Sequence, residues 1–318
     1  MIEINITEKD SNQRVDKFVR KYLYDAPISF IYKVFRKKDV KINGHWAKIE
    51  QYIYAGDVLR IYITDEQLEE FKQPVNIEKL TFSREIIYED NNLLVINKPK
   101  GLLVHGDEEE KRLTLANEVL SYLYKKGEFS PDDTFKPSPA HRIDRNTSGL
   151  VFFGKNMESL QCLMNLFKEK NQIEKTYTAL VDGVVKESGK IDKPLYKDEV
   201  HNLVRVGVTA TSKSALTYYD VKRKFSDVTL LTVRILTGRT HQIRVHMQSI
   251  DHPIIGDQKY GNFPKNKIFK EKYGLDYQFL HAGEVKFINI EGKLAYLSNK
   301  TFSAKLPEEL ANILNKLS

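Results

Sequence analysis

Four short apolar runs, Leu93 to Ile96, Leu150 to Phe153, Tyr177 to Val181 and Val228 to Leu236, carry the β-branched and aromatic residues that suit buried strands. Between them lie stretches of helical periodicity, Leu115 to Tyr124, Ser159 to Lys168 and Gln242 to Ser249. The order is irregular and shows no internal repeat, which argues against a doubly wound parallel sheet. An α+β domain is expected, with a mixed, mainly antiparallel sheet and flanking helices. At 318 residues the chain has room for such a domain and an appendage.

The appendage is legible at residues 1–64. Val15, Phe18, Val19, Tyr22 and Leu23 fall at helical spacing, as do Ile28, Ile31, Val34 and Phe35, with a break at Asp25-Ala26-Pro27. Val40 and Ile42 lead into an Asn43-Gly44 turn, and Leu59, Ile61 and Ile63 alternate after Gly56-Asp57, so a small sheet closes the unit. Basic residues, among them Arg14, Lys33, Arg36, Lys37 and Lys38, concentrate on and just after the helix pair. This order resembles the RNA-binding module named after the fourth small-subunit ribosomal protein (S4-like). The resemblance implies a helix pair laid against an RNA backbone; an ordinary solvated helix face is the plainer alternative. Residues 65–83 turn acidic and polar around Pro74 and read as a linker, leaving 84–318 for the larger domain.

A net charge of +7 makes a polyanion a plausible partner without requiring one. Cys162 is the one cysteine, which rules out an intramolecular disulfide and a multi-cysteine zinc site and leaves the reading of an inert core thiol. Met1-Ile2-Glu3-Ile4-Asn5 alternates like a strand rather than a signal peptide, and no run approaches ~18 apolar residues, so a cytoplasmic chain with no membrane contact is expected. A monomer is the default.

No G-x-x-x-x-G-K-[ST] loop, G-x-G-x-x-G turn or H-E-x-x-H pair occurs, and neither a nucleotide cofactor nor a metal is expected. Two dense polar runs remain. Pro139-Ala140-His141-Arg142-Ile143-Asp144-Arg145-Asn146-Thr147-Ser148-Gly149 leads directly into Leu150-Val151-Phe152-Phe153, so a polar loop meets a buried strand. Asp144, between Arg142 and Arg145, suits an ionised nucleophile. The same run also suits a capped turn. Leu236-Thr237-Gly238-Arg239-Thr240-His241-Gln242-Ile243-Arg244-Val245-His246 reads as strand, turn and helix, with Thr240 as a possible cap. A buried Arg244 would need a carboxylate, and a purely structural pair is the simpler reading of it.

Together these runs resemble the two signatures of the RluA-type pseudouridine synthases. Further similarity lies in Asn97 to His105, Lys175-Thr176-Tyr177, Gly256-Asp257, Lys259-Tyr260-Gly261 and Phe279-Leu280-His281-Ala282, and extends from about residue 84 to the C-terminus. With the N-terminal module, the chain looks closest to the RluC branch, which acts on 23S, the large-subunit ribosomal RNA. The resemblance implies isomerisation of uridine without cofactor, with Asp144 as the essential carboxylate, Arg244 as its partner, Tyr177 stacking on the target base and Arg142 entering the RNA where that base was. Lys98 and Lys175 are expected to meet phosphates or line the pocket, with His141 and Arg239 joining them in binding substrate. Two departures, Ile143 for a more usual Leu and Phe153-Gly154 for a small residue followed by Ala, fall at packing positions.

Two other classes merit comparison. A non-catalytic RNA-binding or ribosome-assembly protein explains the charge but not the joint presence of Asp144, Tyr177 and Arg244. A glycoside hydrolase wants paired carboxylates, and the signature runs hold a single acid.

Overall fold

The structure, a computed structural model, describes residues 1–23, 26–71, 80–106, 110, 112–131, 133–168 and 171–317. Asp25 of the expected helix break and Pro74 lie outside them.

The N-terminal unit comprises β1 (Ile2–Asn5), β2 (Gln13–Arg14), α1 (Val15–Tyr22), α2 (Ile28–Arg36), β3 (Val40–Ile42), β4 (His45–Trp46), β5 (Tyr52–Ile53) and β6 (Val58–Ile61). Its main sheet runs β1-β6-β3-β4, antiparallel throughout. Phe18 and Val19 from the first helix with Leu23 at its C-terminal cap, Ile31 and Val34 from the second, and Leu59 and Ile61 from the sheet form one core. The helical spacing read in the sequence is therefore the buried face, except at Ile28 in the first turn of α2, which is exposed.

The expected linker begins with a helix instead. In α3 (Asp65–Phe71), Phe71 enters the N-terminal core and meets Phe30 at a centroid distance of 4.8 Å. Thr64 and Gln67 cap its start reciprocally, each side chain bonded to the other's backbone N–H. Leu68 and Phe71, three apart in an acidic stretch, supply an apolar stripe that composition alone hides.

The larger domain continues with β7 (Glu85–Glu89), β8 (Leu93–Lys98), α4 (Leu115–Lys125), β9 (Ser138–Pro139), β10 (Ser148–Gly154), α5 (Met157–Lys168), β11 (Ile173–Asp182), β12 (Gly189–Asp192), β13 (Leu195–Asp198), β14 (Leu203–Val206), β15 (Leu216–Lys224), β16 (Val228–Ile235), α6 (Gln242–Gln248), α7 (Phe263–Tyr273), β17 (Leu280–Phe287), β18 (Thr301–Ser303) and α8 (Glu308–Lys316). One sheet runs β12-β15-β16-β11-β17-β10-β8-β7. Its pairs are antiparallel except β10 with β17, which run parallel through Ser148↔His281 and Gly149↔Ala282.

Helices explain why these strands read as unbroken apolar runs. Leu93, Val95, Leu150 and Phe152 pack toward α5, while Leu94, Ile96, Val151 and Phe153 pack toward α4, so both faces of this half are covered. In the other half Ala179, Leu231 and Val233 pack with Ile243 and Met247 of α6, and Leu180, Val228 and Leu230 with Phe269 of α7 and Leu310 of α8. Gly154 has a reason of its own: a Cβ there would lie 2.5 Å from the Cα of Leu160, so an alanine does not fit beneath α5. Cys162 is half-buried at the edge of the α5 core, and burial raises its thiol pKa.

The two units touch. Lys9 donates to the Glu128 carbonyl at 2.7 Å and pairs with Asp133 at 3.2 Å, and the Lys21 ammonium lies 3.7 Å from the Met157 sulfur at the start of α5. No helix among the described residues is long and apolar enough to cross a membrane.

Where the sheet halves meet, Gly149 adopts φ +121°, and a Cβ would sit 2.2 Å from the Ala282 carbonyl oxygen. Gly149→Ala is therefore expected to destabilise by well over ~1 kcal/mol, read as a lower urea midpoint, whereas Gly127→Ala, with positive φ but open space, loses less.

Candidate active site

Asp144 lies on the loop that enters β10 at this junction. Ile143 beside it is buried in the α4 core, and the Thr147 N–H closes a turn onto the Asp144 carbonyl at 3.0 Å. From behind, the Lys98 ammonium donates to the carbonyls of Pro99, Leu102 and Arg145 at 2.7, 2.8 and 2.9 Å. Lys98 is fully buried and absent from the pocket lining, so the expectation that it meets phosphates is corrected: its donors hold the loop. Burial pulls its pKa down to about 7, with Asp144 opposing.

The Asp144 side chain remains 26% accessible, and its Oδ2 accepts from a terminal nitrogen of Arg244 at 2.8 Å. Arg244, on α6, is itself clamped by Asp257, whose two oxygens accept from Nε at 2.7 Å and the other terminal nitrogen at 2.9 Å. Burial would lower the Arg244 pKa, but Asp257 and then Asp144 outweigh it and raise it. Burial likewise works to raise the Asp257 pKa, and the guanidinium with the backbone N–H groups of Lys259 and Tyr260 brings it below the usual carboxylate range.

The rest of the second run holds α6 in place. Gln242 accepts from the Thr237 hydroxyl at 2.7 Å and donates to Thr217 and the Leu216 carbonyl, and His246 bridges Thr217 and the Lys193 carbonyl. Thr240 is not the cap: His241, at φ +54°, occupies that position without a side-chain bond to the helix. Its Nδ1 instead meets the Tyr260 hydroxyl at 2.8 Å.

These groups border an open pocket of about 670 Å³, within the ~300–1,000 Å³ usual for ligand sites. Asp144, Arg142, His141, Lys175, Tyr177, Arg239 and Arg244 all line it. Tyr177 sits where the β11–β17 register breaks and contacts the cores of both sheet halves; burial, then Asp144, raises its pKa and keeps the phenol protonated. Arg142 is exposed, and its side chain makes no hydrogen bond or ion pair to another described residue. Lys175 is buried and leans on the Phe167 carbonyl at 3.4 Å, while Arg239 donates to the Ser214 carbonyl at 3.1 Å. His141 is turned to scaffolding: it stacks on Phe167 at 3.9 Å, its Nε2 accepts from the Phe152 N–H, and burial lowers its pKa to about 3. Among the described residues no cluster of His, Cys, Asp or Glu could hold a metal.

A profile of the RNA pseudouridylate synthases matches residues 92–249. The chain is 36% identical over 99% of its length, and 96% of the relative's, to the ribosomal large subunit pseudouridine synthase C of Buchnera aphidicola subsp. Schizaphis graminum. It belongs to the RNA pseudouridylate synthase family. The synthase C of Vibrio parahaemolyticus is 38% identical, covering 89% of this chain and 87% of the relative. Among solved structures, human RNA pseudouridylate synthase domain containing 4 superposes with a TM-score of 0.58 at 25% identity, over 73% of this chain and 92% of that one. As a member, the chain is an RNA pseudouridine synthase, an isomerase of the RluA family.

Sequence pattern assigns no role to Asp257 or Tyr260, although a buried arginine demands an acid. That demand is the one signal for the acid, and the structure answers it with Asp257 of the Gly256-Asp257 motif.

Replacing Arg244 by Ala strands the fully buried Asp257 without its cation, and is expected to destabilise by ~3–5 kcal/mol in urea unfolding. Lys98 yields a signed pH effect. With a folded pKa of about 7 against ~10.4 unfolded, the unfolded chain binds more protons between those limits, so this group's penalty is full below pH 7 and fades as pH rises. Relative to Lys98→Met, the wild type should gain unfolding free energy from pH 7 to 9; a flat difference would contradict the assignment.

Proposed function

We propose that this chain isomerises specific uridines of large-subunit ribosomal RNA in the cytoplasm, with Asp144 as the reacting carboxylate. The observation that carries the role is the state of its two oxygens: Oδ2 is held by Arg244, and Oδ1 has no hydrogen-bond partner among the described residues, on a side chain open to the pocket. In the reaction the bond from N1 to C1′ breaks and a bond from C5 to C1′ forms. C5 loses its proton and N1 gains one, so substrate and product are isomers and no electron donor or group carrier takes part. Two routes suit a single oriented carboxylate, attack on C1′ and abstraction of a ribose proton to give a glycal.

A uracil within folded RNA must leave its stack, at a few kcal/mol. The Tyr177 ring in the pocket wall offers a stacking surface, and the unpaired Arg142 at the rim can fill the space the base vacates. Lys175 and Arg239 add positive charge along the wall. The choice of ribosomal RNA follows what the relatives' names say they act on and the basic helix pair. Lys33, Arg36, Lys37 and Lys38 are all exposed, and Lys38 lies 3.9 Å from the Trp46 ring centre, whereas Arg14 is paired with Asp16 and Glu50 and counts less as a contact.

Asp144→Asn is expected to bind transcribed large-subunit RNA as the wild type does and to lose tritium release from [5-³H]uridine by more than ~10³-fold. Retained turnover would end the assignment. Changing Lys33, Arg36, Lys37 and Lys38 together to Gln should flatten the plot of log binding constant against log salt, by up to ~0.7–0.9 for each phosphate no longer neutralised; an unchanged slope would remove the module from the interface.

A further inference from the structure

The carboxylates on either side of Arg244 have opposite surroundings. Asp257 is fully buried and both of its oxygens are occupied: Oδ2 takes Nε of Arg244, and Oδ1 takes a terminal nitrogen together with the backbone N–H groups of Lys259 and Tyr260 at 2.8 and 3.0 Å. It cannot touch RNA. Asp144 is open to the pocket and holds Arg244 through one oxygen.

Arginine offers its best grip on a carboxylate as a two-pronged fork, and such a grip on Asp144 would engage both of its oxygens. Asp257 already holds the fork formed by Nε and one terminal nitrogen. The remaining terminal nitrogen reaches Asp144, and Oδ1 stays free. The frame around the fork is stiff. Gly256, at φ +82°, would place a Cβ 2.0 Å from the Tyr277 carbonyl oxygen, and the Tyr260 ring centre lies 5.1 Å from the guanidinium carbon.

We propose that Asp257 is a positioning residue for the isomerisation: it turns Arg244 so that one N–H orients Asp144 while the other carboxylate oxygen stays open to the ribose, and it shares the guanidinium charge so that Asp144 is not held as a fully neutralised ion pair. This rests on Asp144 being the reacting carboxylate.

The test uses the full-length chain, transcribed large-subunit ribosomal RNA carrying [5-³H]uridine, and tritium release. Asp257→Asn keeps the side-chain shape but turns an amide toward Arg244. The expected result is a fall in kcat of about 100-fold with KM within about twofold, and an acid limb of the kcat profile displaced to lower pH, because Arg244's charge then bears on Asp144 alone. Arg244→Ala combined with Asp257→Asn should turn over no more slowly than Arg244→Ala, since Asp257 acts through Arg244. If Asp257→Asn does not fold, Arg244→Lys carries the test: an ammonium cannot make the fork, so kcat should fall with KM kept. Wild-type kcat and pH profile in Asp257→Asn, independent losses in the double variant, or wild-type kcat in Arg244→Lys would each overturn the proposal. Asp144→Asn run alongside separates the two readings: if it turns over, the Asp144 assignment fails, and if it is inactive while Asp257→Asn behaves as wild type, the role of Asp257 alone fails.

Discussion

The two halves of the large sheet meet at a parallel step two residue pairs long, Ser148 with His281 and Gly149 with Ala282. Backbones approach so closely there that residue 149 has no room for a side chain. On one side of the step the Ser148 hydroxyl is bonded to His281 at 2.9 Å, and His281 continues to the Ala304 carbonyl. Asp144 is four residues upstream on the same chain, and Tyr177 lies on the neighbouring strand where the register breaks. A wider junction would separate the loop carrying Asp144 from the helix carrying Arg244.

Burying a guanidinium is unfavourable unless its charge and its N–H groups are satisfied. Here two carboxylates from separate loops satisfy it, one inaccessible and one open. The arrangement is asymmetric: the bond that anchors Arg244 is the one the solvent cannot reach, and the bond that orients the proposed nucleophile is the one at the pocket. Lys98 serves the same end from behind, bringing three carbonyls of the loop and its surroundings to one ammonium. Charged groups that read as ligands for RNA in a linear sequence are thus divided between scaffold and surface.

The N-terminal unit is joined to the same framework. Its Lys21 meets Met157 at the start of α5, and Met164, Phe167 and Lys168 near the end of that helix line the pocket. One helix therefore spans the distance from the basic module to the pocket, a direct packing route between the two surfaces.

Local pattern was enough for much of this. The apolar runs of β8, β10, β11 and β16, the helical periods of α1, α2, α4 and α5, and the two polar runs bearing Asp144 and Arg244 were all legible, because strand and helix periods depend on neighbours within a few residues. The helix α3 was not, since its two apolar residues, Leu68 and Phe71, stand among four acids. Asp257 could not be singled out by spacing alone among 43 acidic residues, nor could the inward direction of Lys98, the scaffolding turn of His141 or the break at Tyr177. The amino-acid order by itself determined the strands and helices that carry a clean local period, and which side chains are chemically able to react. Which of those side chains meet was decided by the tertiary structure alone, because Asp144 reaches an arginine 100 residues further along the chain and Asp257 meets the same arginine from a third segment, which no local period encodes.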